Sequence, residues 1–221
     1  MNAMTIQHHL TDELLMGYAA GTLPEAFNLV VATHLSLCDE CRARAEAFDA
    51  LGGSLLGAME TADLAEDSLQ ATLRRIAAGP QTARPQDRPR TRKPGELFPA
   101  PLQDYVGGDL AAVRWRPVGM GVRQAILRSG PGATARLLYI PAGSAVPDHS
   151  HRGRELTLVL QGAFQDEDGR FGPGDIEIAD QAVQHTPTAE PGQPCICLAA
   201  TDAPLRFRSL IPRLAQPFFR I

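Results

Sequence analysis

The sequence predicts a two-domain α+β protein, with a small all-helical half followed by an all-β half. Three observations carry that prediction. Apolar residues recur at helical spacing over residues 11–78, a proline- and arginine-rich stretch then breaks every pattern, and beyond Leu97 short β-like runs alternate with Gly- and Pro-bearing turns. A chain of 221 residues accommodates two such units, and its 44% apolar and 21% charged composition is that of an ordinary globular protein with cores to bury. The boundaries read as 1–79 for the helical domain, 80–96 for a linker and 97–221 for the β domain.

In the helical half, Thr11 is placed to cap a first helix whose opening acids, Asp12 and Glu13, suit the positive end of the helix dipole. That helix should stop near Gly21. A second begins around Pro24, tolerated at a helix start, and runs through Phe27, Val30, Val31, His34 and Leu35, with its apolar stripe expected to face a partner helix. A third covers about 41–58. A fourth covers about 64–76, through Leu69, Leu73 and Ile76, and stops near Gly79. So few short helices bury little surface, and a domain of this size often needs a metal or disulfide staple. The fourth helix is either partner-facing or packed inside the bundle, and the pattern fits both.

Pro80, Pro85, Pro89 and Pro94, set among Arg84, Arg88, Arg90, Arg92 and Lys93, make the next segment an extended, solvated spacer. It lacks the aromatic residues that accompany single-strand binding. A net charge of −4 gives no reason to expect direct contact with nucleic acid or an anionic membrane. The first dozen residues have no signal-like apolar core, and no apolar run reaches membrane-spanning length, so a cytoplasmic protein is expected. In the second half, runs at 124–127, 135–140, 156–160, 175–178 and 195–199 read as strands of a sandwich or barrel.

The cysteines are four, in the close pairs Cys38/Cys41 and Cys195/Cys197, a usage that favours metal ligation or redox chemistry over structural disulfides in a reducing compartment. His34-Leu-Ser-Leu-Cys38-Asp-Glu-Cys41 sets three zinc-type donors at i, i+4 and i+7. On an ideal helix these lie within about 60° of one face, and a tight turn at the cysteines would converge them equally well. His9, just before the first helix, is the best fourth donor, with His8 also open. A buried pair of free thiols or a redox Cys-x-x-Cys are the alternatives.

In the β half, Gly143-Ser-Ala-Val-Pro-Asp-His149-Ser-His151-Arg-Gly-Arg-Glu155, with Gly162 beyond it, places His149 and His151 on one face of an extended segment and returns Glu155 at the next strand. The spacing is that of the first cupin motif. Phe171-Gly-Pro-Gly-Asp175, followed ten residues later by His185, resembles the second. The resemblance implies a double-stranded β-helix, or jelly-roll barrel, holding His149, His151, Glu155 and His185 around one metal. Such mixed nitrogen and oxygen donors suit zinc, manganese, iron or nickel.

His9 with His34-x-x-x-Cys38-x-x-Cys41 resembles the zinc-binding anti-sigma domain, and with a cupin behind it the chain looks like the ChrR-type anti-sigma factors. That resemblance implies zinc in the first site, favours zinc in the second, and implies that the helical domain clasps an extracytoplasmic-function sigma factor. It also implies a non-enzymatic regulator whose cupin domain receives a small-molecule or oxidant signal, singlet oxygen or a product of it. The rival reading is a cupin metalloenzyme, an oxygenase or isomerase, with the zinc helices as a docking domain. Cys195 and Cys197, two apart on a strand, face one side; they are either small core residues or a thiol pair open to oxidation, and an unstrained disulfide between them is not expected.

Overall fold

The computed structural model describes residues 5–79, 95–127, 129–150, 152–181 and 184–207. Its helical part comprises α1 (Asp12–Ala19), α2 (Glu25–Leu35), α3 (Asp39–Gly57) and α4 (Ser68–Ala78). Thr11 caps α1 as expected, its hydroxyl accepting from the Leu14 amide at 3.4 Å. A fifth helix, α5 (Ala100–Val106), opens the C-terminal half, where the sequence reading had only strands. The prolines Pro99 and Pro101 read as breakers, but at the start of a helix no amide hydrogen is needed, and Gly107 in the left-handed conformation closes the far end.

Among the described residues the strands that follow are β1 (Arg116–Gly119), β2 (Val122–Ile126), β3 (Thr134–Ile140), β4 (His149–Ser150), β5 (Glu155–Gln161), β6 (Phe164–Gln165), β7 (Arg170–Phe171), β8 (Ile176–Ala179), β9 (Gln184–His185), β10 (Thr188–Ala189), β11 (Cys195–Thr201) and β12 (Arg206–Phe207). The larger sheet has the order β1-β2-β3-β11-β5-β8, and the two smaller ones run β10-β6-β7 and β12-β4-β9. Every pairing is antiparallel, which fits the expected all-β C-terminal half. Gly162 makes the turn out of β5 possible: its φ is +70°, and a Cβ there would meet the Pro194 carbonyl at 2.6 Å.

The expected helix partners of α2 are present, and the packing adds a β-sheet to them. Eight of its eleven residues are buried, far more than a single stripe, and it packs against β3, β5, β11 and α5 as well as α1 and α3. Val30 and Val31 share one apolar core with Leu137, Leu158 and Leu198 of the large sheet. This explains why β11 is buried at every residue: one face looks into the barrel and the other lies beneath the helices.

By contrast, α4 buries nothing; Leu69, Leu73 and Ile76 are 66%, 49% and 72% exposed. The two open readings of this helix are thereby separated, since it is not packed inside the bundle. Leu64, placed in it by the sequence pattern, precedes the helix. Leu51, Leu55, Leu56 and Met59, along and just beyond the distal half of α3, are also exposed, so the apolar residues without cover are concentrated in one stretch of chain. Residues 80–94 of the expected spacer lie outside the described residues. Among the described residues, no helix is long and apolar enough to cross a membrane.

Candidate metal centres

The first centre forms where α2 ends and α3 begins. Instead of continuing as one helix, the chain breaks at Ser36 and Leu37, and Cys38 takes extended angles (φ −113°, ψ 106°) as the cap of α3, its sulfur accepting from the Cys41 amide at 3.4 Å. His34 thus sits in the last turn of α2, Cys38 at the break and Cys41 in the first turn of α3. Of the two arrangements the spacing allowed, the tight turn is the one adopted.

His9 arrives from the segment before α1, placing Nδ1 at 3.3 Å from the Cys38 sulfur and 3.6 Å from that of Cys41. Those separations match the edge of about 3.5 Å for a tetrahedron with Zn–S near 2.3 Å and Zn–N near 2.0 Å. One ligand atom from each of His9, His34, Cys38 and Cys41 lies within 4.8 Å of the others. His8 points away, its ring 4.3 Å from that of Phe171 and its Nε2 at 3.1 Å from the Arg170 carbonyl.

Three features test whether these residues suit a cation. His34 Nε2 is buried and has no hydrogen-bond partner, while its Nδ1 donates to the Gly174 carbonyl at 3.0 Å, which fixes the tautomer and leaves Nε2 as a lone-pair donor. Burial holds the His34 pKa down at about 4, so the ring stays neutral and able to ligate. Burial pushes the Cys41 thiol up to about 11, so a thiolate there needs a positive partner. The donor set fits a closed, structural ion. Outside it, Glu40 stands 3.5 Å from His9 Nε2, and Arg44, paired with Asp12 at 2.6 Å, leans over Cys41.

The second centre lies in the barrel. His149 of β4 and His185 of β9 are cross-strand partners with Nε2 atoms 3.2 Å apart. The Nδ1 of His149 donates to the Pro147 carbonyl at 2.9 Å, and that of His185 to Asp166 Oδ2 at 2.9 Å. Both Nε2 atoms are therefore turned toward one region. Glu155 opens β5 as expected and is buried, accepting from the Thr157 hydroxyl at 2.9 Å. His151 lies outside the described residues.

Two acids beside His185 escaped the sequence reading. Glu177 Oε1 is 2.8 Å from the His185 Nδ1, and Asp166, Glu177 and His185 together form a donor cluster that could hold an ion. A single ring N–H serves one acceptor well, and Asp166 takes it, which leaves Glu177 Oε1 buried without a hydrogen bond. Because both acids touch the Nδ1 edge, away from His149, they suit an outer shell that orients His185. Burial pushes Glu177 up to about 7. Burial alone would lower His185, but Glu177 and Asp166 outweigh it and hold it near 9.

Residues 103–204 match the ChrR Cupin-like domain. Over 218 residues, 99% of this chain and 100% of the relative, the sequence is 63% identical to the anti-sigma-E factor ChrR of Cereibacter sphaeroides. The chain belongs to the ChrR family of anti-sigma factors. A solved structure, Rhodobacter sphaeroides SigE in complex with the anti-sigma ChrR, is similar to this ChrR-family chain with 61% identity and a TM-score of 0.76, covering 90% of this chain and 100% of that one.

For a ChrR-family chain, the signal that could have exposed Glu177 is its place as the lone acid in Ile176-Glu177-Ile178 of an apolar strand. Asp166 gave no such sign, sitting in the acidic turn Asp166-Glu167-Asp168-Gly169 where carboxylates are common. Cys195 and Cys197 share a side of β11 as expected, with sulfurs 3.5 Å apart, buried and unbridged. The neighbouring Cys195 thiol and burial together push Cys197 well above the usual thiol range.

Proposed function

We propose that this chain captures an extracytoplasmic-function sigma factor with its helical part and releases it when the barrel receives a chemical signal. The observation that carries the reading is the near-full-length identity to ChrR, a protein described as an anti-sigma-E factor and solved in complex with SigE. The exposed apolar residues of α3 and α4 supply a physical surface for capture, since an amphipathic helix without an internal partner is suited to a groove on another protein.

In this reading His9, His34, Cys38 and Cys41 hold a zinc ion that cross-links the segment before α1 to the α2–α3 junction. His149, His151, Glu155 and His185 hold zinc or another divalent transition metal in the barrel, with Asp166 and Glu177 orienting His185. The protein acts in the cytoplasm as a regulator and not as an enzyme. An oxidant, singlet oxygen or a product of it, is the proposed signal, and the adjacent buried thiols of Cys195 and Cys197 are groups it can modify.

The direct test mixes the purified full chain with Rhodobacter sphaeroides SigE. A stoichiometric complex that silences SigE-dependent transcription is expected; no complex at micromolar concentrations, with both proteins folded, ends the reading. For the signal, a photosensitiser that generates singlet oxygen should dissociate the complex. Unchanged release by a Cys195→Ala/Cys197→Ala variant would remove the thiols from that role.

A further inference from the structure

The β7–β8 turn of the barrel, residues 172–175, reaches out of its own domain. Asp175 Oδ1 accepts from the amides of Gln7 at 2.6 Å and His8 at 3.0 Å, while its Oδ2 accepts from the Gly172 amide at 2.8 Å. The Ile176 amide donates to the His8 carbonyl at 3.2 Å, so the segment before α1 lies along the start of β8. Gly174, at φ +90°, is where the two chains come closest: a Cβ there would meet Ile6 side-chain atoms at 2.8 Å. The Gly174 carbonyl also takes the His34 Nδ1–H.

One barrel turn therefore holds both histidines of the first centre. It fixes the ring of His34 directly, and it fixes the backbone that delivers His9 through the two residues immediately before it. The two thiols, by contrast, are placed by the helices themselves. Asp175 is buried, and although the Arg170 guanidinium is near enough to feel its charge, both carboxylate oxygens accept from backbone amides, Oδ1 from the N-terminal segment and Oδ2 from the barrel turn itself.

We infer that the β7–β8 turn is an outer shell for the N-terminal metal site, with Asp175 as a positioning residue for His9 and the Gly174 carbonyl for His34, so that retention of that ion depends on the barrel. This rests on the reading of the first centre as a metal site. The same turn leads into β8, where Glu177, two residues beyond Asp175, meets His185. The two sites are thereby joined through β8 by a covalent and hydrogen-bonded connection.

The experiment uses the full chain in a Cys195→Ala/Cys197→Ala background, so that Cys38 and Cys41 are its only thiols, and loads it with cobalt(II). The thiolate-to-cobalt absorption band then reports the first centre alone, and its decay in excess chelator gives the release rate. Asp175→Ala should speed release by about 10–100-fold, the range for loss of an outer-shell partner. Asp175→Asn, which keeps one of the two oxygen acceptors and loses the other together with the charge, should speed it by a smaller factor. Amide exchange at Gln7 and His8 should rise in both.

Trp115 fluorescence checks that the barrel of each variant is folded. Should Asp175→Ala not fold, Asp175→Asn decides alone. Release within twofold of the parent in every folded variant overturns the proposal. Absence of any thiolate band in the parent overturns instead the metal reading beneath it.

Discussion

His149 and His185 face each other across β4 and β9 with their Nε2 atoms 3.2 Å apart, while the Nδ1 of each ring donates to an oxygen on its far side. Two imidazoles anchored in this way turn their Nε2 atoms to the same region, the arrangement by which outer-shell acceptors orient histidines for a metal, and ion binding displaces the second proton that His185 carries in metal-free protein. A His149→Ala/His185→Ala variant should lose the barrel ion, with affinity falling by more than the roughly 10–100-fold typical of outer-shell changes. Elemental analysis checks this, and a full ion content in the double variant contradicts it.

Replacing Cys38 and Cys41 by serine should empty the first centre. Structural zinc contributes on the order of 10–16 kcal/mol in finger-sized peptides, so α1 and the start of α3 should lose their order, while α2 keeps its packing on the sheet. Hydrogen exchange resolves the two responses. A zinc-free variant that still bound SigE as tightly as the parent would break the link between metal and capture.

The exposed face of α4 should matter for binding and not for stability. Leu73→Glu with Ile76→Glu should shift unfolding by no more than about 0.5 kcal/mol per site, as surface changes do. The same pair should weaken SigE binding by about 2 kcal/mol or more, the loss that marks a hot spot. Calorimetry against thermal melting separates the two quantities, and an unaltered affinity removes α4 from the interface.

Leu198 lies wholly buried in the core shared by the sheet and α2. Leu198→Ala should cost about 2–5 kcal/mol. Because the core is continuous, denaturation followed by Trp115 fluorescence and by the cobalt–thiolate band should show coincident midpoints, both displaced by the mutation. Two separated transitions, only one of them displaced, would show that the halves unfold independently.

The barrel acids set a pH response in metal-free protein. His185 is held near 9 against an ordinary 6.5, so its charged form adds stability that is whole below about pH 6.5 and is lost as pH climbs through 9. Glu177, pushed up to about 7 from 4.5, resists ionising and withdraws stability as pH rises between those values. The unfolding midpoint of the metal-free chain should fall from pH 6.5 to 9, and Glu177→Gln should flatten that fall. Parallel profiles for parent and variant would exclude the pair as its cause.

Much of this was legible in local spacing. Thr11 as a cap, the break between α2 and α3, and the return of Glu155 at the start of β5 each involve a few consecutive residues, where chain geometry leaves few options. The α5 helix was masked by its own prolines, which oppose a helix everywhere except at its start. Glu177 and Asp166 were missed because a carboxylate declares its role through burial beside a ring that is distant in the chain, and no periodicity records that.

The sequence by itself determined the helical and β halves, the close grouping of His34, Cys38 and Cys41, and the cupin character of the second half, because each depends on residue type and short separation. Only the tertiary structure decided that α2 closes over the β-sheet, that α4 stays uncovered, and that a barrel turn holds His34 from 140 residues away. Those outcomes follow from how apolar area and backbone hydrogen-bonding groups are satisfied across the whole molecule. That balance is set by contacts between distant segments, and no window of sequence contains it.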